Sequence, residues 1–158
     1  MDSSHPDPGF VQQLLAEAKR AGISRYVVGG VIIKCSKALI LRRPRTDYLG
    51  GMYEIPSGRV EAGESLLGAL EREVLEETGL RIAAVGKYLG YFDYASKMGA
   101  PTRQFNFLIL VQEPLQITLS EHDAYEWVRK DRLSNYAISK STMRVLKIAF
   151  EEGVSGAA

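Results

Sequence analysis

The segment 65–78 has the spacing of a helix, but its acidic residues fall on the side that should face the core. One row of the helix surface changes from apolar to acidic through Leu66, Leu70, Glu73 and Glu77. A surface helix normally carries its acids opposite its apolar stripe, and acids in the last turn of a helix oppose its dipole. The segment therefore predicts a helix that packs against the core at its start and faces a positive charge at its end.

Two kinds of positive charge meet that requirement. Carboxylate oxygens without cysteine or histidine nearby suit Mg²⁺ or Mn²⁺ rather than zinc, and these ions often act on phosphate substrates. Surface lysine and arginine side chains can instead pair with an acidic helix end. The acidic row by itself leaves both alternatives open.

Length, charge and cysteine content narrow the class of protein. The 158 residues are 46% hydrophobic and 25% charged, which predicts one compact domain. The net charge of +1 provides no overall field to attract nucleic acid or an anionic membrane, so we expect no stable partner of either kind. No apolar stretch reaches the roughly 18 residues of a membrane helix. The single cysteine, Cys35, ends an apolar run, so we expect a buried side chain and a cytoplasmic location.

The remaining hydrophobic patterns predict helices interleaved with strands. Helical spacing covers 7–22 and a last segment that begins at Ser139 or Ser141 and ends at Gly153. Strand patterns cover 25–35, 38–41, 52–55, 82–94, 104–112 and 125–129, and 44–63 is mostly loop. This mixture predicts an α/β (α+β) fold, in which a mixed central β-sheet is flanked by helices.

Nine residues around the acidic helix follow the spacing G-x5-E-x7-R-E-U-x-E-E-x-G-U, where U is aliphatic. They are Gly58, Glu64, Arg72, Glu73, Val74, Glu76, Glu77, Gly79 and Leu80. This pattern resembles the signature of the Nudix hydrolases at every position. The resemblance implies an α/β/α sandwich in which residues 25–152 form a single Nudix domain, preceded by a tail and helix (1–24) and followed by a tail (153–158). It also implies an enzyme that uses Mg²⁺ or Mn²⁺ to cleave a nucleoside diphosphate linked to another group.

The same resemblance assigns roles to the acids of the motif. It implies that Glu76 and Glu77 are the core metal ligands. Glu73 would be a further ligand or the general base that activates the attacking water. Glu64 would bind the metal directly or through water once the substrate is present.

Two further residues receive roles from the resemblance. Arg72 would position a carboxylate of the motif. Ser57 stands where the family often has glycine, and its backbone carbonyl would bind the metal.

A second segment also resembles the family. In many members a glutamate ahead of a tryptophan strand reaches the metal, so Glu121, which precedes Trp127, is a candidate ligand or alternative base. An exposed loop acid is the open alternative. Trp127 is expected to pack in the core, and His122 either contacts a phosphate or is an ordinary loop histidine.

Candidate substrate-binding residues lie outside the motif. Arg42 and Arg43 precede the loop into the motif and are candidates for binding the distal phosphates. Tyr94 lies near the place where a tyrosine marks hydrolases of dinucleoside polyphosphates. Phe107 is either a platform for the base or a core residue.

A single domain without specificity insertions favours, by analogy with the family, a nucleoside triphosphate pyrophosphatase that releases a nucleoside monophosphate and pyrophosphate. Hydrolysis of a nucleoside diphosphate sugar or a dinucleoside polyphosphate is the alternative reaction. A non-catalytic module that senses a nucleotide is the alternative of another class. The apolar face of the first helix, with Phe10, Leu14 and Leu15, predicts either a homodimer contact or packing on its own sheet.

Overall fold

A computed structural model of the protein describes residues 6–155, with side chains as far as residue 152. The first five residues of the expected N-terminal tail and residues 156–158 of the expected C-terminal tail lie outside this range. Along the described chain the elements are α1 (Pro8–Arg20), β1 (Arg25–Lys34), β2 (Lys37–Arg42), β3 (Tyr53–Glu54), β4 (Ser57–Arg59), α2 (Leu66–Thr78), β5 (Ile82–Ala95), β6 (Pro101–Val111), β7 (Ala124–Arg129), a 3₁₀ helix (Lys130–Asn135) and α3 (Lys140–Ser155).

The strands form one seven-stranded mixed sheet. Its main path runs β3-β2-β1-β6-β5, while β4 pairs with β1 and β7 pairs with β2. The β1 and β6 strands are parallel, and the other pairs are antiparallel. Because β1 pairs with β2, β4 and β6, it is the strand around which the sheet is assembled.

Helices cover both faces of this sheet. Buried residues of α1 and α2, such as Leu14 and Leu70, share one apolar cluster with Phe105 of β6. Buried residues of α3, such as Leu146, share a second cluster with Val31 of β1. The predicted α+β fold, with a mixed sheet flanked by helices, is confirmed. None of the helices within residues 6–155 is long and apolar enough to cross a bilayer.

The helix α2 begins and ends where its sequence predicts. The Ser65 hydroxyl accepts a hydrogen bond from the Gly68 N–H at 3.0 Å, which caps the first turn. At the other end Gly79 adopts a left-handed conformation with φ of 77°, and its N–H donates to the Leu75 carbonyl at 2.8 Å. These two caps fix where the acidic last turn lies on the sheet.

Three details of the secondary structure and the exposure of Cys35 differ from the sequence-based expectation. The strand β4 lies inside the segment expected to be loop, because its three residues form a strand only by pairing with β1. The strand β6 begins at Pro101 rather than at residue 104, and α3 continues past Gly153 to Ser155. The prediction that Cys35 is buried is wrong, because Cys35 lies in the exposed β1–β2 turn with φ of 51°.

The helix α1 packs on its own sheet. Asp7 caps it by accepting a hydrogen bond from the Gly9 N–H at 3.3 Å, and Pro8 occupies its first turn. Leu14 is buried, and the ring of Phe10 makes an edge contact with the ring of Tyr88, with centroids 5.4 Å apart. Of the two alternatives for this apolar face, the structure has the intramolecular one.

We expect Leu70→Ala to lower the free energy of unfolding by about 2–5 kcal/mol, because the side chain of Leu70 is fully buried and its loss leaves a cavity between α2 and the sheet. Leu75→Ala, on the exposed side of the same helix, should cost less than about 1 kcal/mol. Urea denaturation followed by circular dichroism measures both values. Equal costs for the two variants would contradict this packing of α2.

Candidate active site

The short strand β4 brings the motif glycine and the acidic helix together. A Cβ atom on Gly58 would overlap the carboxyl group of Glu73, so any larger residue here would displace that carboxylate from its position against β4. The backbone N–H of Ser57 donates to Oε1 of Glu77 at 2.9 Å. Both contacts hold acids of the helix against the edge of the sheet.

A single guanidinium group binds three carboxylates of the motif. Nε and Nη2 of Arg72 donate to the two oxygens of Glu64 at 2.7 and 2.9 Å. Nη1 of Arg72 lies 2.8 Å from Oε1 of Glu73 and 3.3 Å from Oε2 of Glu76. Nη2 also donates to the Arg59 carbonyl at 2.9 Å, which ties the network to β4. The prediction that Arg72 positions a carboxylate of the motif agrees with these contacts.

The network shifts the pKa values of the acids in opposite directions. Hydrogen bonds from Arg72 and from the Glu61 backbone N–H lower the pKa of Glu64 to about 2. Burial raises the pKa of Glu77 to about 9, and the charges of Glu73 and other nearby acids add to the shift. Burial also raises the pKa of Glu73, against the opposing effect of Arg72. The motif has four carboxyl groups and one guanidinium, so Arg72 alone cannot neutralise them when all four are ionised.

This excess of negative charge fits a divalent cation. The four motif carboxylates supply only oxygen donors, which suit Mg²⁺ or Mn²⁺. Within residues 6–155 no three acidic, histidine or cysteine side chains already converge as a metal centre. Arg72 holds Glu64, Glu73 and Glu76 on itself at hydrogen-bonding distance, which accounts for that finding. Glu73, Glu76 and Glu77 are the side chains that would hold the ion, while contacts from Glu64 and from the Ser57 carbonyl stay predictions.

The loop before β7 is attached to both the acidic helix and the sheet. The hydroxyl of Ser120 donates to the Glu76 carbonyl at 2.7 Å. Next to it, the exposed Glu121 contributes to the raised pKa values of Glu73 and Glu77. Glu121 thus lies within electrostatic reach of the site, and its role as a ligand or base stays a prediction.

His122 lies in this loop but is buried, and its Nε2 lies 2.8 Å from Oε2 of Glu54 on β3. Contact of His122 with a phosphate stays a prediction. Glu54 is also 3.4 Å from Nη1 of Arg43 and adds to the raised pKa of Glu77. The sequence patterns do not single out Glu54, because a lone acid in a two-residue strand has no recognisable periodicity.

The two candidate phosphate-binding arginines are both engaged in ion pairs. Nε of Arg42 lies 2.7 Å from Oδ1 of Asp123. Nε of Arg43 donates to the Tyr48 carbonyl at 2.7 Å, in addition to its contact with Glu54. Both lie beside the loop of Glu121 and His122, and binding of phosphate by either of them stays a prediction.

The candidate aromatic residues divide between surface and core. Phe107 is fully buried beneath α1 and α2, so its assignment as a substrate platform is corrected to core packing. Tyr94 is 39% exposed, and its ring centroid lies 6.1 Å from that of Phe92. Trp127 is half-buried and packs against the core, as expected.

Known proteins share this fold and much of this sequence. The family model described as the NUDIX domain matches residues 24–146. A protein of Mycobacterium tuberculosis (strain ATCC 25618 / H37Rv), named putative 8-oxo-dGTP diphosphatase 2, is 34% identical over 120 residues, which cover 70% of this chain and 84% of that protein.

Solved structures give the same result for the fold. The solution structure of the E. coli ORF135 protein matches with a TM-score of 0.70 at 24% identity, over 87% of this chain and 95% of that one. The crystal structure of MutT protein from Methanosarcina mazei Go1 matches with a TM-score of 0.66 at 25% identity, over 84% and 94%.

We expect Glu77→Gln to stabilise the metal-free protein at pH 8 by about 1–3 kcal/mol, because a neutral amide replaces a buried carboxyl group that folds only by keeping a proton well above its ordinary pKa. Between the ordinary pKa of 4.5 and the folded pKa of about 9, the folded protein retains a proton that the unfolded chain loses. The free energy of unfolding of the wild type therefore falls as pH rises through this range. The advantage of the variant should shrink towards pH 5.

Thermal denaturation in the presence of a chelator measures this difference, with Glu71→Gln on the exposed side of α2 as the matched control. The control should leave the melting temperature unchanged at both pH values. A Glu77→Gln variant less stable than the wild type at pH 8 would refute the raised pKa assigned to the buried Glu77 carboxyl.

Proposed function

The chain belongs to the Nudix hydrolase family, and from that premise we propose that it splits a nucleoside or deoxynucleoside triphosphate into a nucleoside monophosphate and pyrophosphate. The observation that carries the proposal is the set of carboxylates around Arg72, where Glu73, Glu76 and Glu77 face the edge of the sheet at β4. The relative named as a putative 8-oxo-dGTP diphosphatase supports a triphosphate substrate.

Glu73 has the properties of the general base in this reaction. Burial raises its pKa, which brings a carboxylate closer to the pH at which a base works best. Oε1 of Glu73 accepts a hydrogen bond from Arg72, so Oε2 is the oxygen that would take the proton of the attacking water. Arg72 thereby orients the base without taking part in proton transfer.

Glu64, Glu76 and Glu77 have roles in binding the cation or in fixing Arg72 rather than in proton transfer. A divalent cation, when bound, neutralises phosphate oxygens and lowers the pKa of a bound water. Glu76 and Glu77 would hold it, and the Ser57 N–H keeps the Glu77 carboxylate pointed at β4. Glu64 is fixed by both of its oxygens to Arg72, which stabilises the guanidinium that orients Glu73. Glu121 is the second candidate for the base.

The proposal includes a cytoplasmic location, where free nucleotides are abundant, and a small-molecule substrate. With a net charge of +1, the chain has no overall attraction for nucleic acid or membranes, so we propose no stable partner of either kind. A homodimer through α1 also stays a prediction, which gel filtration with light scattering tests. On α1, Phe10 is 38% exposed and is the apolar side chain that remains for such a contact.

The test is a substrate panel with Mg²⁺ or Mn²⁺ and product identification by chromatography. The panel contains ordinary and oxidised nucleoside triphosphates, nucleoside diphosphate sugars and dinucleoside polyphosphates. We expect monophosphate and pyrophosphate from at least one triphosphate. Glu73→Gln should lower kcat by about 10²–10⁴-fold, while Glu71→Gln should leave kcat unchanged.

Other outcomes have distinct meanings. Preferred cleavage of a nucleotide sugar or a dinucleoside polyphosphate would replace the proposed substrate but keep the hydrolase. An intact panel together with nucleotide binding would instead make the protein a sensor. Full activity in Glu73→Gln would move the role of base to Glu121.

A further inference from the structure

Two side-chain amides are buried in the sheet on the face that carries α3. Gln104 and Asn106 of β6 are 6% and 0% exposed, and residues two apart on a strand share a face. They share it with Ile55, since a Cβ on Gly29 would lie close to all three side chains. Buried amides are stable only when hydrogen bonded. None of the acids described above contacts this pair.

The hydrogen bonds of the pair fix which way each amide points. Nδ2 of Asn106 donates to the carbonyls of Gly90 and Gln104 at 3.1 and 3.2 Å. Because a carbonyl only accepts, the Asn106 nitrogen must face these groups and its Oδ1 must face Gln104. Nε2 of Gln104 donates to that Oδ1 at 2.9 Å. Oε1 of Gln104 therefore points away from Asn106.

This oxygen is a hydrogen-bond acceptor without a protein donor. Among the residues that the structure describes, Gln104 makes its side-chain hydrogen bond through Nε2 alone. The buried side-chain atoms that lack a partner are Oη of Tyr88 and Nδ1 of His122, and Oε1 of Gln104 is not one of them. The oxygen is therefore not completely enclosed by the described residues and can accept a hydrogen bond from a ligand.

Aromatic side chains lie beside the amide pair. Phe92 on β5 is directly opposite Gln104, so the two side chains share a face. Beyond Phe92 lies the partly exposed Tyr94. The hairpin that follows meets the loop after β2, where Nζ of Lys97 is 5.9 Å from the ring centroid of Tyr48. Partly exposed aromatic rings next to an oriented amide are a combination that proteins use to bind a nucleobase.

The amide pair lies at a fixed distance from the carboxylates. Asn106 and Ser57 pair with the same residue, Gly29, from opposite sides of β1. Two strand spacings, or about 10 Å, separate their backbones. The amide groups themselves lie over Gly29, and the Ser57 N–H on the neighbouring strand binds Glu77, so the amides and the acidic site are reached from adjacent strands.

Gly29 is required by this arrangement. A Cβ atom there would lie 2.6 Å from Nε2 of Gln104 and 2.7 Å from Oδ1 of Asn106. A larger residue at 29 would push the two amides out of their hydrogen bond. The central strand thus has a glycine where the amide pair crosses it.

We propose that Gln104 is a specificity-determining residue that recognises the nucleobase of the substrate. Its Oε1 accepts a hydrogen bond from an N–H group on the base edge, and Asn106 holds the amide in the orientation that this requires. The base lies beside Phe92 and Tyr94, and the phosphates lie at the acidic site that contains Glu73 and Glu77. The inference rests on the proposed function and adds to it the feature by which a base is chosen.

The test compares two nucleotides that differ in base N–H groups. The best ordinary triphosphate is compared with the triphosphate of purine riboside or of 2-pyrimidinone riboside, whose bases carry no N–H. In the wild type the nucleotide whose base has no N–H should have a kcat/KM about 10- to 100-fold lower than that of the ordinary triphosphate, mainly because its KM is higher. Gln104→Met keeps the side-chain length and should reduce this difference in kcat/KM to about threefold or less. Gln112→Met, at an exposed position just beyond the end of β6, should leave this difference in kcat/KM unchanged.

Three outcomes would overturn the inference. The first is an equal kcat/KM for the two nucleotides in the wild type, a result that does not depend on how any variant folds. The second is an unchanged difference in kcat/KM in a folded Gln104→Met, as judged by its melting temperature. The third is the same narrowing of this difference in Gln112→Met.

If no triphosphate is hydrolysed, the proposed function fails while the base-recognition inference is still tested. Dissociation constants of the same two nucleotides, measured by calorimetry on the wild type and on Gln104→Met, then take the place of kcat/KM. A preference that Gln104→Met removes supports recognition of the base by this amide. The lack of any preference in the wild type refutes it.

Discussion

The arrangement of the site depends on one guanidinium group placed among like charges. Arg72 contacts Glu64, which precedes α2, and Glu73 and Glu76 on α2, three carboxylates that would otherwise repel one another. Its hydrogen bond to the Arg59 carbonyl extends the same network to β4. The protein therefore carries an internal counterion, which lets the acidic helix end fold against the sheet before any metal arrives. Glu77 is not among the acids that Arg72 contacts, so its buried carboxyl group has the greatest need for a bound cation.

The sheet determines how the two functional regions face each other. Because β1 pairs with β4 on one side and with β6 on the other, a single strand separates the carboxylates from the amides. Glycine occurs at both crossing points, Gly58 against Glu73 and Gly29 against the amide pair. In each case the missing side chain makes room for a polar group from a neighbouring element. Backbone pairing thus sets the spacing of the site, and the glycines set how closely its groups approach.

Local patterns made much of this structure predictable. Helical spacing with a serine cap and a final glycine located α2, and the motif spacing singled out Glu73, Glu76 and Glu77. Contacts between distant segments were not predictable in this way. The strand β4 exists through pairing with β1, and the role of Glu54 depends on His122, which lies 68 positions further along the chain. Phe107 illustrates the same limit, since alternation along a strand shows which residues share a face but not which helix covers that face.

The exposed turn between β1 and β2 has a practical consequence. Cys35 is the only cysteine in the sequence, and its thiol lies at the surface. It is six residues beyond Gly29 along β1, or about 20 Å at the rise of an extended strand. A maleimide fluorophore or spin label would therefore attach at one defined position, remote from the carboxylates and the amide pair. The native chain is suited to distance measurements between this thiol and a labelled nucleotide without any engineered cysteine.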